Sequence, residues 1–348
     1  MSRASRTAED AMIRLIDDRG APLFEGRLGV SRTELLEIHR VAALTRALED
    51  ALSGLAGGPD LPWYVPALGE DAALVAAATA LGFADPVFSS GRMAPRALAR
   101  GLAAATWIHS ALGTSASPSG GREAPGFAGH PDENLFPASA TPGAAALSAV
   151  GAGLARSDDA VAVGVLGWGS LGSAAFAAAL DAARRTSSRV LLVVVTSKSR
   201  GVGAAVAAAE TAGLSAALID GDDPVAVRDA VAAARARVRE EGRPELVELA
   251  CRREMDRGPS AGRRRLAAFL EREGALGAEL AAEIDRAIRG EVASALAAAR
   301  AAGGPGPEAL HGELRARPSA EERRVADAFA RFGAEYGGAA DPDARFLV

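Results

Sequence analysis

A chain of 348 residues, 49% of them hydrophobic, has the material for one large α/β domain or two smaller ones. Its formal net charge of −5 argues against a nucleic-acid-binding protein, which needs a concentrated basic face, and the local run Arg263-Arg264-Arg265 reads as a solvated helix start. A single cysteine, Cys251, excludes an internal disulfide framework and a cysteine-rich zinc site, and is expected to be a plain buried thiol.

The opening MSRASRTAED has no apolar stretch of signal-peptide length, and the runs AVAVGVLG and VLLVVVTS fall far short of the roughly 20 residues that span a bilayer. A soluble, cytoplasmic protein with no membrane partner is therefore expected. Residues 9–19 carry a short helical pattern and 31–55 a stronger one, with Ser31 and Glu34 spaced for a capping box and Gly57-Gly58-Pro59 as the stop. Alanine-rich helices are predicted at 69–82 and 94–113. The stretch 114–144, dense in Gly, Pro and Ser, is long for a connection inside a compact domain, and such loops are either functional or disordered.

From residue 160 the pattern alternates: strand 160–167, helix 170–187, strand 189–197, helix 204–212, strand 215–221, helix 223–241 and strand 244–251. Strands alternating with helices over short loops predict an α/β fold, a doubly wound parallel sheet flanked by helices on both faces. Helices are expected at 263–273 and 277–302, and an amphipathic one at 319–336 after the breaker Gly303-Gly304-Pro305-Gly306-Pro307. The resulting division is an N-terminal helical extension (1–60), an α/β domain (61–262), a C-terminal helical region (263–336) and a tail (337–348) whose Phe346-Leu347-Val348 could dock on a partner.

Ligands of such sheets sit at the carboxyl ends of the strands, where VGVLGWGS (163–170) and TSKSRGVG (196–203) fall. Glycine at a strand end lets backbone approach a ligand, so Trp168 between Gly167 and Gly169 is an odd choice. No serine, histidine and acid show nucleophilic-triad spacing, and no cluster has metal-ligand spacing. His130 reads as a surface or loop-stabilising residue rather than a catalyst, and His39 and His109 as packing or surface groups on helices.

Four stretches, taken in order, resemble the alpha chain of thiamine-diphosphate-dependent 2-oxo acid dehydrogenases, closest to the branched-chain type. LPWYVPALGEDAALVAAATAL (61–81) is similar to that family's segment with a Tyr-Val-Pro-Ser-Leu-Gly-Gln-Glu-Ala core. DPVFSSGRMAPRALARG (85–101) is similar to its stretch ending in Ala-Leu-Ala-Arg-Gly, and TPGAAALSAVGAGLA (141–155) to its small-residue helix before the cofactor strand. LIDGDDPVAVRDAVAAARARVREEGRPELVELACR (218–252) is similar to its Val-Asp-Gly-Asn-Asp unit. The likeness runs from about residue 12 to about residue 320 and implies the thiamine-diphosphate-binding fold.

The resemblance also implies where the diphosphate and its divalent metal would be held: a Gly-Asp-Gly turn and a later Asn-Asn pair, whose oxygens suit a hard dication. Here the first reads Gly167-Trp168-Gly169 and the second Ser197-Lys198-Ser199-Arg200-Gly201, so the aspartate position is Trp168 and the asparagine position Lys198. An indole and an ammonium offer only donors, so neither binds a cation. Of the family's diphosphate-contacting Tyr-Arg pair, Gly91-Arg92 keeps the arginine. The active-site histidine expected after the last strand is absent, since none occurs between His130 and His311, and the family's second histidine is missing near Gly120–Ala124. Trp168 is expected to fill the space a cofactor would leave, while Lys198, Arg92 and Arg200 either neutralise an anion or pair with nearby acids.

The resemblance and its departures together predict a non-catalytic assembly or regulatory subunit with no cofactor, partnered by a beta-type 2-oxo acid dehydrogenase subunit or by itself. One alternative is an active enzyme that decarboxylates a 2-oxo acid and passes the acyl group to a lipoyl carrier, holding thiamine diphosphate and magnesium unconventionally. The other is a binding module for a different phosphate or anionic ligand.

Overall fold

The computed structural model describes residues 11–306 apart from 27, 138, 157 and 254–259, together with 319–321, 323–325, 327–328 and 331. Five parallel strands form one sheet: β1 (Val87–Ser89), β2 (Ala162–Gly167), β3 (Val190–Ser197), β4 (Ser215–Asp220) and β5 (Glu245–Cys251), in spatial order β1-β2-β3-β5-β4. β3, VLLVVVTS, is buried at every position, as its unbroken β-branched run requires of a strand covered on both faces.

Alternate side chains of the sheet feed two apolar layers. Leu166, Leu192, Val194 and Leu246 pack against α5 (Ala144–Ala155), α6 (Ala174–Thr186) and α7 (Ala204–Thr211). Val163, Val193, Val247 and Leu249 face α2 (Asp71–Thr79) and α8 (Pro224–Glu241), in a cluster that runs on through α1 (Arg32–Ser53), α9 (Ala261–Arg272) and α10 (Ala278–Ala302). The chain advances across the sheet from β1 to β4 and then steps back to β5. A right-handed crossover run in reverse must use the opposite face, which is where α8 lies. Neighbouring β3 and β5 therefore exit to opposite faces, and this reversal of strand order is the switch point at which sheets of this kind bind ligands.

Most predicted elements are present at these places, and α1 starts as read. Ser31 Oγ accepts from the Glu34 backbone N–H at 3.2 Å, while Glu34 returns a carboxylate to the Ser31 N–H at 3.0 Å. Three expectations change. The described part of 9–19 is not helical: Ile13 makes a parallel bridge to Ile219, donating to the Leu218 carbonyl at 2.9 Å and accepting from Asp220 at 3.0 Å. β4 would otherwise present an open edge, and this segment covers it. The predicted 94–113 helix is two, α3 (Ala94–Ala99) and α4 (Ala104–Ala111), because Gly101 turns the chain at φ +98°. β1 is three residues long, too short to read from periodicity.

The stretch 114–144 is irregular and anchored to β1: Leu135 bridges Val87, and Phe136 stacks on Phe88 at 4.4 Å between ring centres. Of the expected helix 319–336, the described residues between 320 and 331 are helical, while 332–336 and the tail lie outside the described residues. Among the described residues no helix is long and apolar enough to cross a membrane.

The core shared by α1, α2 and α9 carries two buried acids. Glu49 accepts from the Ala67 N–H with both oxygens at 3.0 Å, and Asp71 accepts from the Ser260 hydroxyl at 3.1 Å. Burial, reinforced by the charges of Asp71 and Glu70, pushes Glu49 up from 4.5 to about 8; burial raises Asp71 to about 6. A raised carboxylate pKa means that the folded state keeps a proton the unfolded state has released. Stability from Glu49 is thus full below pH 4.5 and is lost as pH rises toward about 8. Thermal melts of Glu49→Gln against wild type should show little difference near pH 4.5 and a growing advantage for the variant up to pH 8.

α5 lies close to the β3 entry because Gly153 has no side chain. A Cβ there would stand 2.6 Å from Ser188 Oγ and 2.7 Å from the Arg189 carbonyl. Gly153→Ala should cost about 2 kcal/mol in urea unfolding. Gly151→Ala, two residues earlier on the opposite side of the helix with nothing within 4 Å, should be neutral or stabilising.

Candidate functional site

The carboxyl ends of β2 and β3 each run into a single 3-10 turn, Trp168–Ser170 and Lys198–Arg200. Ser170 is buried and its hydroxyl accepts from the Gly143 N–H at 3.3 Å, which ties the first turn to the start of α5. The second turn closes on Gly201 at φ +90°, a conformation that favours glycine.

The structure brings some of the predicted residues together and separates one. Arg92 reaches the end of β2: a Cβ on Gly167 would stand 3.8 Å from its Nη1. Arg200 lies over the Trp168 ring at 4.2 Å from guanidinium to centroid. Trp168 is 40% exposed in the single chain, with one face covered by that guanidinium. Gly169 has open space beside it. Lys198 turns away from β2. It reaches past the end of β5 to the end of β4, where its Nζ lies 2.5 Å from Asp220 Oδ1 and 2.6 Å from Asp222 Oδ2.

Both aspartate side chains have no solvent exposure. Asp220 also takes Arg265 Nη1 at 2.9 Å and Arg14 Nε at 2.9 Å; Asp222 takes the Arg252 N–H at 2.9 Å and Arg252 Nε at 3.2 Å. Burial opposes charge on Asp220, but hydrogen bonds from Lys198 and Arg265 outweigh it and hold the carboxyl below its ordinary range. Arg265, which also pairs with Asp18, is buried rather than solvated, so the expected exposed run at 263–265 is corrected: its third member is an interior counter-ion.

Arg92 is committed elsewhere too. Held at φ +49°, it donates Nε to the Pro66 carbonyl at 3.2 Å, and its Nη1 lies 3.7 Å from Glu70 Oε2. Glu70 is buried, and its other oxygen is 3.2 Å from Arg253 Nε. Arg96 gives Nη2 to the Gly91 carbonyl at 2.6 Å and Nε to Ser89 Oγ at 3.1 Å, and burial lowers its pKa to about 10. Glu70, Arg92 and Arg96 line a small cleft of about 20 Å³ with Gly167 and Val195. A second pocket, of about 230 Å³, shares Arg92 and adds Trp63, Tyr64, Trp107 and Phe127.

A divalent metal does not fit the turns at the ends of β2 and β3. Trp168 has no acceptor, Lys198 carries a positive charge, and among the described residues no group of three or more His, Cys, Asp or Glu side chains could hold a metal. A diphosphate fits poorly as well, since Lys198 and Arg92 already have internal carboxylates for partners. Of the two roles expected for His130, surface or loop-stabilising, burial removes the first, and its backbone exchanges hydrogen bonds with Leu135 at 2.9 and 3.0 Å; burial also lowers its pKa, and Cys251 is buried as read.

Glu70, Arg253, Asp220, Asp222 and the aromatic pocket escaped the sequence reading. A signal for two of them was present in LIDGDDP, where two aspartates flank a glycine at a strand end, and for Glu70 in an acid standing where the resembled segment has glutamine.

Residues 39–257 match the family model described as Dehydrogenase E1 component. The 2-oxoisovalerate dehydrogenase subunit alpha 2, mitochondrial, of Arabidopsis thaliana is 27% identical over 248 residues, which cover 68% of this chain and 52% of the relative. The chain thus spans about half the length of the curated relative it matches. The family match takes in all five strands and both turns of the candidate site; the chain belongs to the dehydrogenase E1 component family.

Proposed function

We propose that the chain is a non-catalytic alpha-type subunit, kept for assembly with a beta-type 2-oxo acid dehydrogenase subunit or with a second copy of itself. The observation that carries this reading is the pair of strand-end turns: where the resemblance puts two metal ligands there are an exposed indole under an arginine and an ammonium drawn off to β4. The family's histidines are absent as well, because no histidine lies between His130 and His311. Loss of the metal ligands and the proton-handling groups together removes both the cofactor's anchor and the chemistry around it.

An assembly role has support in the outer face of α5. Leu147 and Leu154 are 41% and 57% exposed, and Gly151 between them has nothing within 4 Å of a Cβ. These positions share one side of the helix, and small or flat surfaces of this kind let a second backbone approach closely.

Native mass spectrometry of the protein isolated from its own cells tests the reading. A hetero- or homo-oligomer without the mass of thiamine diphosphate is the expected result. A strict monomer at micromolar concentration overturns the assembly role, and retained thiamine diphosphate overturns the non-catalytic one. Leu154→Arg should shift the oligomer toward the monomer while leaving the fold intact by circular dichroism, since the side chain touches solvent in the single chain.

A further inference from the structure

Lys198 is the only lysine in the sequence; arginine supplies the other 38 of the 39 cationic Lys and Arg side chains. The two are not equivalent. A guanidinium is a planar fork, while an ammonium is a compact point charge with three donors on a flexible stem. At this one position the ammonium sits between two carboxylate oxygens, at 2.5 and 2.6 Å, with its side chain 16% exposed and both acids fully buried. Both contacts are charge-assisted hydrogen bonds, and among the described residues the ammonium is the one cation that lies between the two acids.

The acids are shaped into a receptor for it. Asp220 and Asp222 are two residues apart, and the Asp222 N–H donates to Asp220 Oδ1 at 3.0 Å, which folds the turn so that both carboxylates face one point. Gly221 between them lies so close to Cys251 Sγ that a Cβ would collide with it, so the turn is fixed against the end of β5. The remaining oxygens are held by Arg265 from α9, Arg14 from the segment beside β4, and the Arg252 N–H following β5.

We infer that Lys198 is a cation built into the chain: its ammonium occupies an oxygen-lined cation site formed by Asp220 and Asp222, and clamps the turns after β3 and β4 with no metal. The clamp rests on contacts within the single chain and not on the proposed assembly role. It crosses the end of β5, so the carboxyl edge of the sheet is held rigid by the chain itself.

The test is thermal unfolding of the full chain. The wild-type melting temperature should be unchanged by EDTA or by millimolar Mn²⁺. Lys198→Ala should melt lower by about 5 °C or more, because it removes one partner from each of two buried charges. Methylammonium or Mn²⁺ at millimolar concentration should restore much of that loss by entering the emptied site. Arg185→Ala, which removes an exposed pair at 3.8 Å, is the control and should melt within about 1 °C of wild type. A wild-type melting point that falls in EDTA, a Lys198→Ala protein as stable as wild type, or a loss that neither cation relieves would overturn the inference. Should Lys198→Ala fail to fold, acetylation of the wild type followed by peptide mass decides the matter. The native rate at Lys198 should be at least about tenfold below the rate in denaturant, and equal rates would overturn the clamp.

Discussion

Two carboxylates without solvent exposure stand at the end of β4, and much of the chain around them is arranged to keep them paired. A buried ionised carboxylate is costly unless countercharges and hydrogen bonds satisfy it. Here the partners come from four places in the sequence: Arg14 from the edge segment, Lys198 from the turn after β3, Arg252 from the end of β5 and Arg265 from α9. No pair of these is close in the chain, so the network forms only when the whole sheet has been assembled. A buried network of this kind contributes little net stability compared with apolar packing, but it penalises every arrangement that leaves an acid alone.

That dependence on distant partners also separates what could be read in the sequence from what could not. β3 and β5 were legible because a buried parallel strand needs an unbroken apolar run, and α1 because its capping box is local. The segment at 11–19 was not legible: Met12 and Ile16 are buried at a spacing that suits a helical turn, and only the open edge of β4 makes it extended. The break between α3 and α4 turns on the backbone of Gly101, whose helix-like flanks hide it. β1 is strand only because Val163 and Leu135 lie on either side of it to accept its pairing.

At the candidate site the sequence was informative about residue types and poor on directions. Trp168 and Lys198 stand out on chemistry alone, since neither can bind a cation. Where they point depends on what surrounds them. An indole in place of a small residue suggests a filled void, and in the single chain the ring is 40% exposed with Arg200 over one face. A lysine at a strand end suggests an anion site, yet Asp220 and Asp222 draw it across the sheet. Arg92 stays beside Gly167, and Glu70 shows how little its position says about availability, because an acid within the same cleft already faces it.

A bound metal and diphosphate would contribute binding free energy to the folded state alone and so stabilise the turns they touch. Strand-end turns that no ligand touches have to be ordered by the chain's own contacts or be left to fluctuate. Each of the two turns here has such a means. The first is tied by Ser170 to α5 and stacked under Arg200; the second is tied by Lys198 to β4. These contacts join each turn to a neighbouring element and so fix the shape of the strand ends within the single chain.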